Sequence, residues 1–133
     1  MSVFVQNVVQ GDLALAGAAA VPEHSLGEAP FAGTVTEVTL IPEAALTAAD
    51  ATARTLTLFN RGQAGAGTTV VATLVTNLAG GNWVANDEKA FTLTATVADR
   101  AFARGDVFEI VETVAGAGTA RPQCEVTVRG TRS

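Results

Sequence analysis

A two-residue period in hydropathy recurs along this chain, and it restricts the fold more than any other feature. In Ala90-Phe91-Thr92-Leu93-Thr94-Ala95-Thr96-Val97, the residues Phe91, Leu93, Ala95 and Val97 fall on one side and Thr92, Thr94 and Thr96 on the other. Leucines alternate with threonines in Arg54-Thr55-Leu56-Thr57-Leu58-Phe59-Asn60, and Cys124, Val126 and Val128 alternate with Glu125, Thr127 and Arg129. That period belongs to strands with one buried face. Threonine suits the other face, since its β-branch fits a pleated surface and its hydroxyl tolerates water.

Two runs, Thr69–Val75 and Asp106–Val111, are apolar on both faces and read as more central strands. Gly33–Ile41 changes phase between Val35 and Val38, which one extra residue in a β-bulge would explain; Pro42 then ends it, having no N–H for a ladder. Only Pro42–Ala51 has helical composition, and it reads as a crossover loop with a brief helical turn. Turn signals recur at Gly62–Gly67, Gly80-Gly81-Asn82, Gly105-Asp106 and Gly116–Gly118. Short strands at this spacing predict an all-β fold: a single β-sandwich, with a jelly-roll-like wiring as one variant and a closed barrel as the alternative.

The chain has 133 residues, one domain by length. The reading divides it at residue 30, into an extended N-terminal arm over 1–30 and a β-sandwich domain over 31–133. Val3, Phe4, Val5, Val8, Val9, Leu13 and Leu15 are the arm's large apolar residues. Their burial alone does not offset the backbone entropy of ordering such a segment, about 1–2 kcal/mol per residue. The arm therefore needs strand pairing, with its own sheet or a neighbour's, and these residues are the predicted interface positions. Gln6, Asn7, Gln10 and Asp12 interrupt its apolar stretch and no Lys or Arg opens it, which argues against a secretory signal. No stretch reaches the about 18 apolar residues of a membrane span.

The residues for chemistry are few. Eight Lys and Arg against thirteen Asp and Glu, net charge -5, form no basic patch for phosphate contacts, so nucleic acid is not an expected partner. One His and one Cys cannot make a zinc site, no calcium loop of the EF-hand kind is present, and no metal or cofactor is expected. His24 falls outside the expected strands and reads as a solvated loop residue; Asn86-Asp87-Glu88 reads as a solvated turn. Cys124 reads as a buried structural thiol, which also fits synthesis in a cytosol. The glycine-rich run from Gly62 to Thr68 lacks the Gly-Lys-Ser/Thr ending of a phosphate loop and reads as a hairpin loop. Arg104-Gly105-Asp106 spells an adhesion tripeptide but supplies a turn. Trp83 follows a glycine turn, where it serves either as a packed core residue or as an exposed interface or sugar-stacking anchor. No catalytic residue is assigned, and an enzyme is not expected.

From Gly33 to Gly130 the chain resembles small β proteins from the structural gene blocks of tailed bacteriophages. The likeness lies in GTVTEVTLIPEAALTAADATARTLTLFNRGQAGAGTTVVATL, in DEKAFTLTATVADRAFARGDVFEI, and in the glycine turn and closing strand that follow. It covers about three quarters of the chain and implies a head decoration, or cement, protein. Such a protein is a homotrimer made in the host cytoplasm that sits on the outer surface of the capsid, clamps neighbouring major capsid proteins and stabilises the virion. The alternative is a carbohydrate- or receptor-binding module of a phage tail or fibre, for which Trp83 would be exposed.

Overall fold

A computed structural model describes residues 4–133 of the chain. Ten strands follow one another: β1 (Val5–Leu13), β2 (Glu23–Glu28), β3 (Gly33–Pro42), β4 (Arg54–Asn60), β5 (Thr69–Val75), β6 (Lys89–Ala90), β7 (Thr92–Leu93), β8 (Ala101–Phe102), β9 (Val107–Val114) and β10 (Cys124–Arg132). They form two antiparallel sheets, one in the order β1-β10-β3-β6 with β8 also on β3, the other in the order β2-β9-β4-β5-β7. Successive strands alternate between the sheets, β1 and β3 in the first, β2 and β4 in the second. The closing pair β9 and β10 inserts beside β2 and β1. This is jelly-roll wiring, two Greek keys folded into a sandwich.

The period-two faces meet in the middle. Leu56 and Leu58 of β4, Phe108 and Ile110 of β9, Val126 and Val128 of β10 and Val35, Val38 and Leu40 of β3 are all 0–1% exposed. At one end Phe31, Phe102 and Phe108 continue the core, with ring centroids 5.8 and 5.7 Å apart. The phase change in β3 is a bulge: Arg129 pairs with Glu37 and Gly130 with Val35, leaving Thr36 unpaired. The long Gly62–Gly67 loop joins β4 to β5 as a hairpin.

Three expectations are corrected. The boundary at residue 30 does not divide the fold. β1 pairs with β10 from Val5↔Thr131 to Leu13↔Cys124, and β2 pairs with β9, so residues expected to form a separate arm supply two of the sandwich's strands. The strand pairing that the arm requires comes from its own domain. Pro42–Ala51 forms no helical turn; it leaves β3 through a bend at Glu43-Ala44 and continues as an irregular loop, with an isolated bridge from Leu46 to Trp83 and with Leu46 and Ala48 buried. The run Ala90–Val97 is not one strand either. Phe91 N–H donates to Val38 O of the first sheet, while Thr94 N–H donates to Val71 O of the second. The segment crosses between the sheets at Phe91 and splits into β6 and β7, and Val97 ends 58% exposed.

Candidate interface surfaces

The sandwich has two ends. At one end lie the loops 14–22, 43–53, 76–88 and 115–123; at the other lie 29–32, 61–68 and 94–106. Beneath the first end lies a buried cluster of charged side chains. Glu112 of β9 lies between Arg54, which opens β4, and Arg121, which precedes β10, and all three side chains are 0% exposed. Arg121 Nε donates to Glu112 Oε1 at 2.6 Å and its Nη2 to Oε2 at 2.9 Å, a bidentate pair; Arg54 Nη1 reaches Oε1 at 3.2 Å. Buried carboxylates require such partners, because an unpaired charge in the interior is strongly unfavourable.

The remaining donors of the two arginines hold loops. Arg54 Nη1 donates to Ala20 O at 2.7 Å, its Nη2 to Gly17 O at 2.8 Å and Ala18 O at 3.3 Å, and its Nε to Thr119 O at 3.0 Å. Arg121 Nη1 donates to Pro122 O and to Cys124 Sγ. One guanidinium thus fixes the carbonyls of the 14–22 loop and of the β9–β10 loop, and the isolated bridge Ala16↔Arg121 ties the two loops together. Glycine is required at the crossing: Gly118 has φ +77° and its Cα faces Ala18 O with no room for a Cβ.

His24 belongs to β2 and not to a solvated loop. Its side chain is 19% exposed, with Nε2 3.4 Å from Glu112 Oε2 and making no hydrogen bond. No sequence signal tied it to Glu112, since β2 carries a single buried apolar residue, Leu26. Cys124 is buried as expected. Desolvation raises its thiol from the ordinary 9.0 to about 11, outweighing the nearby Arg121 guanidinium, which acts to lower it.

The predicted interface residues scatter. Val8, Val9 and Leu13 are buried in the chain's own core at 5%, 8% and 0% exposure, while Phe4, Val5 and Leu15 are exposed at 69%, 56% and 75%. Val3 lies outside the described residues. Trp83 is not an exposed anchor: it is 1% exposed and packs in the core, where the Leu46 bridge holds its backbone. Asn86, Asp87 and Glu88 are exposed, and Asn86 carries a positive φ of 64°, as a turn residue does. Gly105 has φ +89°, and Asp106 Oδ2 accepts from Ala103 N–H at 2.9 Å, so Arg104-Gly105-Asp106 is a turn.

Open clefts lie on the surface as well. One, of about 490 Å³, lies beside β5 and is lined by Thr73, Val75, Asn77, Glu88, Lys89 and Thr92, among others. The second, of about 350 Å³, lies where β1, β3 and β10 meet and includes Asp12, Glu43, Asn86 and Glu125. Among the described residues no group of three or more His, Cys, Asp or Glu is placed to hold a metal ion.

No protein-family model and no curated protein matches the chain. Among solved structures it is similar to a chain of the structure described as "Structure of infectious bursal disease virus Gx strain", at 15% identity and a TM-score of 0.34, covering 96% of this chain and 32% of that one. It is also similar to a chain of "Structure of infectious bursal disease virus Gt strain", at 14% identity and a TM-score of 0.38, covering 95% of this chain and 32% of the other. The chain therefore spans about a third of the length of these neighbours.

Proposed function

We propose that this protein is a structural, non-enzymatic part of a virus particle: a homotrimer on the outer surface of a tailed-phage capsid that clamps neighbouring major capsid proteins. What carries the reading is the placement of its charged cluster. Arg54, Glu112 and Arg121 are wholly buried, and their spare donors fix loop carbonyls rather than line a cleft. That is an arrangement for holding surface loops in shape, and a clamp needs rigid presented surfaces. The sequence resemblance from Gly33 to Gly130 supports the phage assignment. A decoration protein that binds only the assembled shell stabilises it by mass action, and three-fold attachment lets modest contacts per subunit suffice. A sugar-binding role built on an exposed Trp83 has no such anchor, because Trp83 is buried.

The test is mass in solution by native mass spectrometry, followed by co-sedimentation with shells of the phage whose structural genes include this one. A trimer that pellets with shells at a fixed ratio is expected. A chain that stays in the supernatant at every concentration would remove the shell-binding role.

A further inference from the structure

The chain has a single histidine, His24, and histidine is the side chain whose ordinary ionisation, near about 6.5, falls in the neutral range. The fold buries most of it. His24 stands opposite Ile110 in the pairing of β2 with β9, on the face turned toward the core, and its side chain is 19% exposed. Its Nε2 is shut off from solvent and has no hydrogen-bond partner, while Glu112 Oε2 lies 3.4 Å away.

The groups around His24 decide what a proton would do there. Glu112 of β9 faces it, and Glu112 is in turn held by Arg54 of β4 and Arg121 of the loop before β10, all three buried. β9 also carries Glu109, which is turned to the outer face and paired with Arg61. β1 packs against β2, and its one titratable residue, Asp12, is exposed. Glu23 and Glu28 of β2 itself are exposed as well. Two guanidiniums against one carboxylate already leave the buried group with an excess of positive charge. Arginine donors occupy both oxygens of Glu112, two of them on Oε1 and one on Oε2. A protonated His24 would be a third cation around one carboxylate and would have to give up most of its hydration. Like charges sharing a buried site disfavour the charged form, and so does desolvation.

We propose that His24 is a proton-sensitive latch: the β2 edge of the sandwich is held while the imidazole is neutral and loosens when it takes a proton. β2 is the element placed to respond. It is an edge strand, paired only with β9, and Leu26 is its single buried residue, so little apolar packing retains it. It also continues the 14–22 loop, whose Gly17, Ala18 and Ala20 carbonyls rest on Arg54. A proton on His24 therefore acts on the same charged group that shapes this end of the sandwich. The unfolded chain takes up that proton without the penalty, so acid favours opening. The latch works whatever the loops contact and does not depend on a shell-binding role.

The experiment uses the full chain and compares the wild type with His24→Gln, whose side chain takes no proton. Hydrogen exchange, corrected for the intrinsic effect of pH, reads residues 23–28 against β4 in the same molecule at pH 7.5 and pH 5.5, above the ordinary carboxylate range of about 4. Wild-type β2 is expected to lose about tenfold in protection between the two, with β4 unchanged and His24→Gln flat in both strands. The ring-proton resonances of the single imidazole, followed by NMR in the wild type, give the protonation curve of His24 without any variant. The loss in β2 is expected to follow that curve. An equal loss in His24→Gln would belong to the carboxylates and overturn the latch. Wild-type protection that stays constant over this range would overturn it, whether or not the imidazole titrates. A gain in protection would overturn it too, since the new bond to Glu112 would then outweigh the repulsion. Should His24→Gln not fold, the wild type decides: a β2 curve that departs from the imidazole curve refutes the latch.

Discussion

Replacing Glu112 by Gln tests the physical core of this reading. Gln keeps the shape of the side chain and removes its charge, leaving Arg54 and Arg121 beside a neutral amide with both guanidiniums fully buried. Three contacts, at 2.6, 2.9 and 3.2 Å, lose their ionic character at once. Breaking a buried pair on one side costs about 3–5 kcal/mol, mostly because the partner charge stays behind unpaired. A domain of ordinary stability has about 5–15 kcal/mol in all, so this substitution removes a large share. Urea unfolding followed by the fluorescence of Trp83, the single and buried tryptophan, reads the loss directly. With a slope of about 2 kcal/mol/M, the midpoint falls by roughly 1.5–2.5 M. The control is Glu37→Gln, which removes the partner of Arg129 in a pair whose side chains are 33% and 45% exposed. Exposed pairs contribute about 0–1 kcal/mol and weaken with salt. Glu112→Gln is expected to exceed Glu37→Gln several-fold and to be insensitive to salt. Equal small losses in the two variants would mean that the buried cluster is not what holds this end together.

Further outcomes follow from the same structure. Deleting residues 1–13 removes β1 and uncovers β10, so the remainder is expected to lose cooperative unfolding by circular dichroism; a stably folded fragment would restore the idea of a separable arm. Gly118→Ala puts a Cβ against Ala18 O at a positive φ, so it destabilises by more than about 1 kcal/mol in thermal unfolding, whereas Gly17→Ala, which meets open space, changes stability by less. Native Cys124, held as a thiol up to about 11, is expected to resist iodoacetamide at pH 8.5 and to react once urea unfolds the chain. Its raised folded value also sets a sign. The unfolded thiol ionises from about 9 upward while the folded one does not, so stability is full below pH 9 and falls through pH 11, by roughly 2–3 kcal/mol, since each unit is about 1.36 kcal/mol. A flat stability profile over that range would remove the desolvation argument for this site.

Strands β4 and β10 were legible because their threonine alternation survives intact, β9 was legible as a run apolar on both faces, and the bulge in β3 was visible as a lost phase. The first two strands were not. β1 contains a bulge between Asn7 and Val9, so Val8 and Val9 are both buried and no clean alternation is left to read. β2 is an edge strand in which only Leu26 is buried, and backbone pairing with β9 rather than apolar pattern makes it a strand. The error at Ala90–Val97 was of the opposite kind. The pattern there is regular, but the chain changes sheets at Phe91, which a one-dimensional period does not encode.

The ion cluster shows how such a feature can be missed although its signal is present. Extending the inner face of β4 from Leu58 and Leu56 leads to Arg54, and extending that of β9 from Phe108 and Ile110 leads to Glu112. Both continue the buried phase at the same end of neighbouring strands, where Leu56 pairs with Glu112. A charge on an apolar phase is ordinarily taken as the point where a strand leaves the core. Here opposite charges on adjacent strands complete the core instead, and Arg121 enters from the loop before β10 to balance them. In many cores apolar residues of similar volume stabilise as well as a buried ion pair does. They would offer nothing to the carbonyls of Gly17, Ala18, Ala20 and Thr119. Buried charge at this end therefore makes sense as the means of shaping the loops above it, and that is the property through which a protein made of surfaces would act.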